Sequence, residues 1–176
     1  GKPLADGGKL LGETLRCVDA CGAWGIPNLV VHSGYVKGLS AKETFARNKE
    51  FFMPLLERAE KYNLNILVEN FNKMCVENMY WVDNVADELA LIEYVDHPLL
   101  QACWDTGHGN MQDTTQYEAV TTLGEHLRAL HVQDNLGNDD HHMAPFCGTL
   151  DLDSLMRGLQ KVNYSGYFTF ESGRML

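Results

Sequence analysis

The sequence predicts a parallel α/β fold that closes into a (β/α)8 barrel, with about five to six of the eight βα units present. Three observations support this prediction. Short apolar segments alternate strictly with amphipathic segments, which indicates parallel βαβ units with right-handed crossovers. The first apolar segment lacks the glycine-rich turn that follows the first strand of an open nucleotide-binding sheet. Polar residues stand at the end of every apolar segment, where barrels collect their functional groups.

Five segments have the composition of buried strands. Each is short, mostly apolar and rich in β-branched or aromatic residues. Each leads into an ionisable side chain and then into polar or glycine residues, which is typical of a strand that ends at a loop. In chain order, the predicted strands are residues 28–32, 64–69, 99–105, 127–131 and 167–171.

Amphipathic segments around these strands predict helices, because their apolar residues recur at three- and four-residue spacing. Ser40 and Glu43 have the spacing of a capping box, so a helix is expected to begin there. Asp83 or Asn84 is expected to begin the helix after the second strand. The predicted helices are residues 8–24, 40–62, 84–95, 114–123 and 152–162, and a long polar loop over residues 133–148 precedes the last of them.

The chain is short for a complete barrel. Eight strands ordinarily need about 250 residues, whereas the chain has 176, begins on a helix and stops five residues after its last predicted strand. We therefore expect residues 1–176 to form a single barrel domain that lacks some of its strands. A longer polypeptide or another chain would supply them, so a homo-oligomer or completion by a partner chain is expected.

The composition argues against a nucleic-acid-binding protein, a membrane protein and a secreted protein. The formal net charge of −10 disfavours nucleic acid as the main partner, since phosphate-binding surfaces need clustered Lys and Arg. No apolar run approaches the roughly 18 residues of a membrane span, and the first residues lack the apolar stretch of a secretory signal. Five cysteines without a CxxC motif predict reduced thiols and a cytoplasmic protein.

Four of the predicted strands end on, or lead directly into, a residue that can bind a divalent metal. These residues are Glu69, Asp105, His131 and Glu171. Burying three carboxylates and a histidine at one edge of a sheet is costly unless a cation neutralises them. Oxygen ligands with one imidazole suit Mn²⁺, Mg²⁺ or Co²⁺, and such a set can also hold Zn²⁺.

Further polar residues surround these four. We expect substrate contacts from His32, which ends the first strand, and from three residues that follow the others closely, namely Asn70, His108 and Asp134. The long loop contains Asp140, His141 and His142, and we regard Asp140 and His142 as a candidate site for an additional metal.

These motifs occur in an order that resembles the xylose isomerase-like TIM barrels, which include sugar phosphate isomerases, ketose epimerases and the family 2 apurinic endonucleases. The resemblance extends over nearly the whole chain and is specific to the superfamily rather than to one substrate. The motifs that carry it are Val31-His32-Ser33-Gly34, Val68-Glu69-Asn70, Asp105-Thr106-Gly107-His108, His131-Val132-Gln133-Asp134-Asn135, Asp140-His141-His142 with Pro145 and Gly148, and Phe170-Glu171.

The resemblance implies one divalent metal on Glu69, Asp105, His131 and Glu171. It further implies that the strand ending at His32 is the third of the barrel and that Glu171 follows the seventh. The absent strands would then be the first two and the last.

The resemblance and the residues together predict a metal-dependent sugar or sugar phosphate isomerase or epimerase. Glu69 and Glu171 would transfer a proton next to a carbonyl through an enediolate, with a metal-mediated hydride shift as the alternative route. His32 and His108 would hold substrate oxygens. Phe71, Trp81 or Trp104 could form an apolar wall, although core packing is the favoured role for each.

Two other functions stay open. A phosphodiesterase acting on abasic DNA is one, because His32, His108, Asp140 and His142 match the extra ligand positions of the endonucleases. The negative net charge and the absence of a basic stripe argue against it. The other is a non-catalytic subunit that a partner chain completes, because an open sheet exposes edges and apolar faces.

Overall fold

The structure, a computed structural model, describes residue 4, residues 8–72, residue 74 and residues 80–173. Five strands form one parallel sheet whose spatial order is their order in the chain. A doubly wound sheet would reverse this order at a switch point. The chain therefore forms five parallel strands of a TIM barrel, which confirms the predicted fold class. The strands are β1 Asn28–His32, β2 Asn65–Glu69, β3 Leu100–Asp105, β4 Leu127–Val132 and β5 Tyr167–Phe170.

The helices alternate with the strands and agree with the sequence pattern except at one place. Two 3-10 turns, Glu60–Tyr62 and Gly124–His126, precede β2 and β4. A short additional helix follows β3 directly. It escapes sequence-based prediction because five residues that include two glycines carry no periodicity. The helices are α1 Lys9–Trp24, α2 Ala41–Ala59, α3 Val85–Val95, α4 Thr106–Asn110, α5 Gln116–Leu123 and α6 Leu152–Lys161.

Side-chain caps fix where several helices begin. Ser40 and Glu43 form the predicted capping box of α2, in which the Glu43 backbone N–H donates to Ser40 Oγ and the Ser40 N–H donates to Glu43 Oε2 at 2.8 Å. Asn84 caps α3 by accepting a hydrogen bond from the Asp87 N–H. These caps satisfy N–H groups that have no partner within the helix.

The main core lies between the outer face of the sheet and the helices. Alternation along β2 illustrates the division, since Ile66 and Val68 join the main core while Leu67 points to the inner face. On that inner face, Leu67, Cys103 and Ala129 form a small apolar cluster. The main core includes Phe52, Leu55, Leu91, Trp104, Val120, Leu130 and Leu155.

The two outermost described strands each have one neighbour. β1 pairs with β2 and β5 pairs with β4, and all four residues of β5 are exposed, with Phe170 66% exposed. In the described part of the chain, no further strand covers either edge. The completion of the barrel by additional strands stays a prediction.

The described cysteines are free thiols, as expected, namely Cys17, Cys21, Cys103 and Cys147. Cys75 lies outside the described residues. Among the helices of the described ranges, none combines the length and apolar character needed to cross a bilayer.

One core residue gives a stability prediction. Glu88 on α3 is fully buried, and neither carboxylate oxygen has a hydrogen-bond partner among the described residues. Burial, together with the negative charge of Glu69, raises the pKa of Glu88 well above its ordinary value. The unfolded chain therefore releases this proton at lower pH than the folded chain does, and stability is lost as the pH rises from the ordinary pKa toward the raised one.

The variant E88Q cannot ionise, so its free energy of unfolding should exceed that of the parent by an amount that grows with pH. Each unit of pKa difference corresponds to about 1.4 kcal/mol. Urea unfolding from pH 5 to pH 9 measures this, with E93Q on the exposed side of the same helix as the control. An E88Q difference that is independent of pH would contradict the prediction.

Candidate metal centre

The four strand-end residues meet at one point. Glu69, Asp105, His131 and Glu171 each offer a ligand atom, and these atoms all lie within 4.8 Å of one another. The parallel register explains the convergence, because Asp105 lies opposite His131 and the strand ends of a barrel curve toward a common axis.

His131 is at the centre of this group. Its Nδ1 lies 2.8 Å from Glu69 Oε1 and 3.3 Å from Glu171 Oε2. Burial lowers the pKa of His131, but hydrogen bonds with Cys103, Glu171 and Glu69 outweigh burial and raise it. The hydrogen bond with His131 in turn lowers the pKa of Glu171 to about 2. The imidazolium thus compensates part of the negative charge.

Asp105 is the least compensated member of the group. It is fully buried, and its Oδ1 accepts hydrogen bonds from the His108 N–H at 2.7 Å and from Gln133 Nε2 at 3.3 Å. Its Oδ2 is buried without a hydrogen-bond partner in the described part of the chain. Burial, aided by the charges of Glu69 and Glu171, raises the pKa of Asp105 to about 7. A carboxylate oxygen left unpaired among other acids is a position that a cation would stabilise.

The donor set fits a divalent metal. Carboxylate oxygens outnumber the single imidazole, a combination that suits Mn²⁺, Mg²⁺ or Co²⁺ and that Zn²⁺ also accepts. The Oδ2 of Asp105 is the observation that tests this fit, because this buried oxygen belongs to a member of the four-residue group and has no hydrogen-bond partner among the described residues.

A second group of candidate ligands lies beside the first and contains His108, Asp140 and His142. His108 Nδ1 lies 2.9 Å from the Asn70 carbonyl oxygen, and His142 Nδ1 lies 2.9 Å from that of Glu171. Since a carbonyl oxygen only accepts, both Nδ1 atoms carry a proton. Both Nε2 atoms lie 3.3 Å from Asp140. This is the arrangement of histidines that bind metal through Nε2.

The structure thus brings His108 together with the predicted pair Asp140 and His142, whereas the Nδ1 of His141 contacts the Asp139 carbonyl oxygen. Burial lowers the pKa of His108, but the charges of Asp105 and Asp140 outweigh it and raise that pKa to about 9. His108 is therefore a cation at neutral pH when no metal is bound.

The predicted substrate contacts lie in different surroundings. His32 is beside the four-residue group, with its Nδ1 3.5 Å from Glu69 Oε2. Asn70 is fully buried, donates to the Asp105 carbonyl at 3.1 Å and accepts from the Asp105 N–H at 2.7 Å. Both ends of its amide thus hold the end of β3, and a substrate contact by Asn70 stays a prediction.

Asp134 is also fully buried and organises the long loop. Its carboxylate accepts hydrogen bonds from the N–H groups of Asn135, Gly148 and Leu150 at 2.8–3.0 Å. Its backbone forms an antiparallel bridge with Met143. These contacts indicate a structural role that folds the loop back over the sheet edge, and a substrate contact by Asp134 stays a prediction.

The three aromatic candidates for the apolar wall lie in different environments. Trp104 is fully buried and donates its indole N–H to Gln116, and Trp81 packs edge-on against Phe45. Phe71 is the one of the three with ring contacts to the histidines of the site. Its ring centroid lies 5.0 Å from that of His32 and 4.7 Å from that of His108.

Sequence reasoning missed the involvement of Gln133. This side chain is fully buried, and its Nε2 contacts both Asp105 and Asp140. A signal for it existed, because Gln133 follows His131 by two residues and a strand directs such residues to the same face.

Comparisons with known proteins place this geometry in context. The family model described as "Xylose isomerase-like TIM barrel" matches residues 9–175. The fructoselysine 3-epimerase of Escherichia coli O157:H7 is 28% identical over 145 residues, which are 80% of this chain and 49% of that protein. The chain spans about half the length of the curated relatives it matches.

Two solved structures share the fold. The D-allulose 3-epimerase from Methylomonas sp., in complex with D-allulose, superposes with a TM-score of 0.77 at 24% identity, over 92% of this chain and 55% of that one. The AP endonuclease, family 2, from Brucella melitensis superposes with a TM-score of 0.78 at 19% identity, over 98% of this chain and 66% of that one.

Proposed function

This chain belongs to the xylose isomerase-like TIM barrel family, and from that premise we propose that it acts as a divalent-metal-dependent ketose epimerase. The observation that carries the proposal is the convergence of ligand atoms from Glu69, Asp105, His131 and Glu171 within 4.8 Å of one another, together with a buried Asp105 oxygen that has no hydrogen-bond partner among the described residues. The 3-epimerase activity named for related proteins supports the choice of reaction.

Those four residues would hold the metal. When bound, a divalent cation supplies Lewis acidity that stabilises negative charge developing on substrate oxygens. His131 would release its proton on loading, since a metal-bound imidazole is neutral.

Glu69 and Glu171 carry the proton transfer in this proposal. Glu69 ends β2 and Glu171 follows β5, so the two carboxylates approach the site from strands that two other strands separate. One carboxylate removes the proton from the carbon next to the carbonyl, and the other delivers a proton to the opposite face. The reverse reaction exchanges their roles, and inversion at that carbon follows.

Two histidines would hold the substrate oxygens. Burial lowers the pKa of His32, so its imidazole is neutral at pH 7. His108 carries a positive charge while Asp105 and Asp140 face it, and a charged donor stabilises an oxyanion more strongly than a neutral one. Phe71 contacts both rings and would present an apolar surface to the carbon chain.

Solvent exchange tests the reaction. The protein is incubated in D₂O with a panel of free and phosphorylated ketoses and with Mn²⁺ at roughly 100 times its measured Kd, so that the site is saturated. We expect an epimer that carries one deuterium at the inverted carbon. Turnover with complete retention of hydrogen would contradict proton transfer and favour a hydride shift.

Completion of the barrel belongs to the same proposal. Two observations support closure by additional strands, from a second chain or from further polypeptide. The sheet formed by the described residues leaves β1 and β5 with one neighbour each, and the aromatic residues of β5 are exposed. Light scattering of this chain measures its association. A metal-loaded monomer that turns over substrate would contradict the requirement for closure.

A phosphodiesterase is the second candidate, favoured by the group of His108, Asp140 and His142 beside the first site. The net charge of −10 opposes it, because a DNA backbone needs a positively charged surface. A nicking assay on abasic duplex DNA, with Zn²⁺ or Mn²⁺ added, separates the two. Metal-dependent nicking at a rate above that of ketose turnover would favour this candidate over the first.

A further inference from the structure

We infer that Gln133 couples the two groups of candidate ligands, so that a metal bound at one raises the affinity of the other. The first group is Glu69, Asp105, His131 and Glu171, and the second is His108, Asp140 and His142. This inference rests on the proposed function for the metal at the first group and adds a second cation at the second group. With that cation bound, His108 would be a neutral ligand and would not act as the charged substrate contact proposed above. Gln133 is a positioning residue in this account and not itself a ligand.

A single amide nitrogen connects the groups. Gln133 Nε2 donates to Asp105 Oδ1 at 3.3 Å and to Asp140 Oδ1 at 2.9 Å. One carboxylate belongs to each group, so the two hydrogens of this amide are shared between the two sites. Hydrogen bonds to charged acceptors are about twice as strong as neutral ones, so the pair of contacts fixes both carboxylates relative to each other.

The amide has little freedom to move away. The Gln133 side chain is fully buried, and the Thr106 hydroxyl donates to the Gln133 carbonyl at 2.9 Å. Gly107 leaves the space that the side chain fills, since a Cβ at that position would lie 2.1 Å from Gln133 Cδ. A larger residue at position 107 would therefore displace the amide.

The other end of the amide carries a cost that packing alone does not explain. Gln133 Oε1 is buried and has no hydrogen-bond partner among the described residues. An apolar side chain of the same size would avoid this desolvation penalty. The amide is consequently more useful for its two donated hydrogen bonds than for the stability of the fold.

These contacts give a route for coupling. A cation at the first group fixes Asp105, Asp105 fixes the amide, and the amide fixes Asp140 Oδ1. The other oxygen, Asp140 Oδ2, then stays directed at His108, 3.3 Å from its Nε2. The second group is therefore arranged for a cation before one arrives, which lowers the entropy lost on binding. By linkage, the second cation raises the affinity of the first by the same factor.

Metal titration tests the inference without reference to catalysis. The parent chain is titrated with Mn²⁺ by isothermal calorimetry, and the stoichiometry is checked by elemental analysis. Q133M removes the amide at nearly constant volume. Q101M is the matched control, because Gln101 is also a buried glutamine of the sheet and donates to the Pro98 carbonyl, away from both groups.

In the parent and in Q101M, we expect two Mn²⁺ ions to bind. The affinity for the second ion should exceed the value for independent sites by at least about fivefold. In Q133M, we expect two ions with independent affinities and an unchanged thermal unfolding temperature to within a few degrees. Two coupled ions in Q133M would overturn the inference. One ion in the parent would overturn the inference and leave the proposed function standing, whereas no bound ion would overturn both.

Q133N keeps the amide but shortens the side chain by one methylene, and it serves if Q133M fails to fold. Since one carboxylate contact must then be lost, we expect coupling reduced to the level of independent binding. Coupling equal to that of the parent would overturn the inference.

Discussion

Replacing Glu171 or Glu69 by glutamine is expected to lower ketose epimerisation by about 10²- to 10⁴-fold, the usual contribution of a positioned acid or base. Glutamine preserves the shape of the side chain but cannot accept the proton. Either replacement should also weaken metal binding, because an amide oxygen is a poorer ligand than a carboxylate. Initial rates of epimer formation at saturating Mn²⁺ measure the first effect, and elemental analysis measures the second.

The control for both variants is E57Q, since Glu57 is exposed on α2 away from the strand ends. Its rate and metal content should equal those of the parent. If E69Q and E171Q both keep full activity and full metal content, the four-residue group is not the active site. If activity is lost while the metal stays bound, the result favours the acid–base role over a role as ligand alone.

Replacing Asp105 by asparagine should separate stability from metal binding. Without metal, D105N is expected to be more stable than the parent at neutral pH and above, because it removes a buried carboxylate whose Oδ2 has no partner in the described part of the chain. With Mn²⁺ at 100 times its Kd, the parent should gain about 2.7 kcal/mol in its free energy of unfolding, and D105N should gain almost nothing. Urea unfolding with and without Mn²⁺ measures both quantities.

The pH dependence of the metal-free protein follows from the same residue. Burial raises the pKa of Asp105 from 3.8 to about 7 in the folded chain, so the folded state holds this proton more tightly than the unfolded state does. The stability that the neutral form confers is therefore complete below pH 3.8 and is lost as the pH rises toward 7. D105N should lack that part of the decline.

Asp134 provides a matched control for Asp105, because it is equally buried but its oxygens accept three backbone hydrogen bonds. D134N should lower the free energy of unfolding by about 1–3 kcal/mol and keep the stabilisation by Mn²⁺. Equal behaviour of D105N and D134N would contradict the distinction between a site carboxylate and a structural one.

Prediction from the sequence succeeded where a local rule decides the outcome. The parallel sheet follows from the alternation of apolar and amphipathic segments, and the start of α2 follows from the spacing of Ser40 and Glu43. Polar strand ends in a barrel must point to a shared mouth, so Glu69, Asp105 and His131 could be expected to meet before any coordinates were known.

Prediction from the sequence stayed incomplete where partners come from distant parts of the chain. Asn70 follows a ligand in sequence, yet its amide is occupied by the backbone of Asp105, 35 residues away. His141 and His142 are adjacent, but only His142 has its Nε2 beside Asp140. Helix α4 carries no periodicity and depends on the cap that Asp105 provides.

The sequence by itself determined the order of strands and helices and the residues that stand at the strand ends, because periodicity and capping are local properties of a chain. Only the tertiary structure decided which polar side chains are satisfied and which are left unpaired. The roles of the Gln133 amide and of the Asp105 Oδ2, which is unpaired among the described residues, depend on neighbours that the curvature of the sheet brings together. Hydrogen bonding depends on distance and direction in space, and spacing along the chain does not encode either for residues in separate strands.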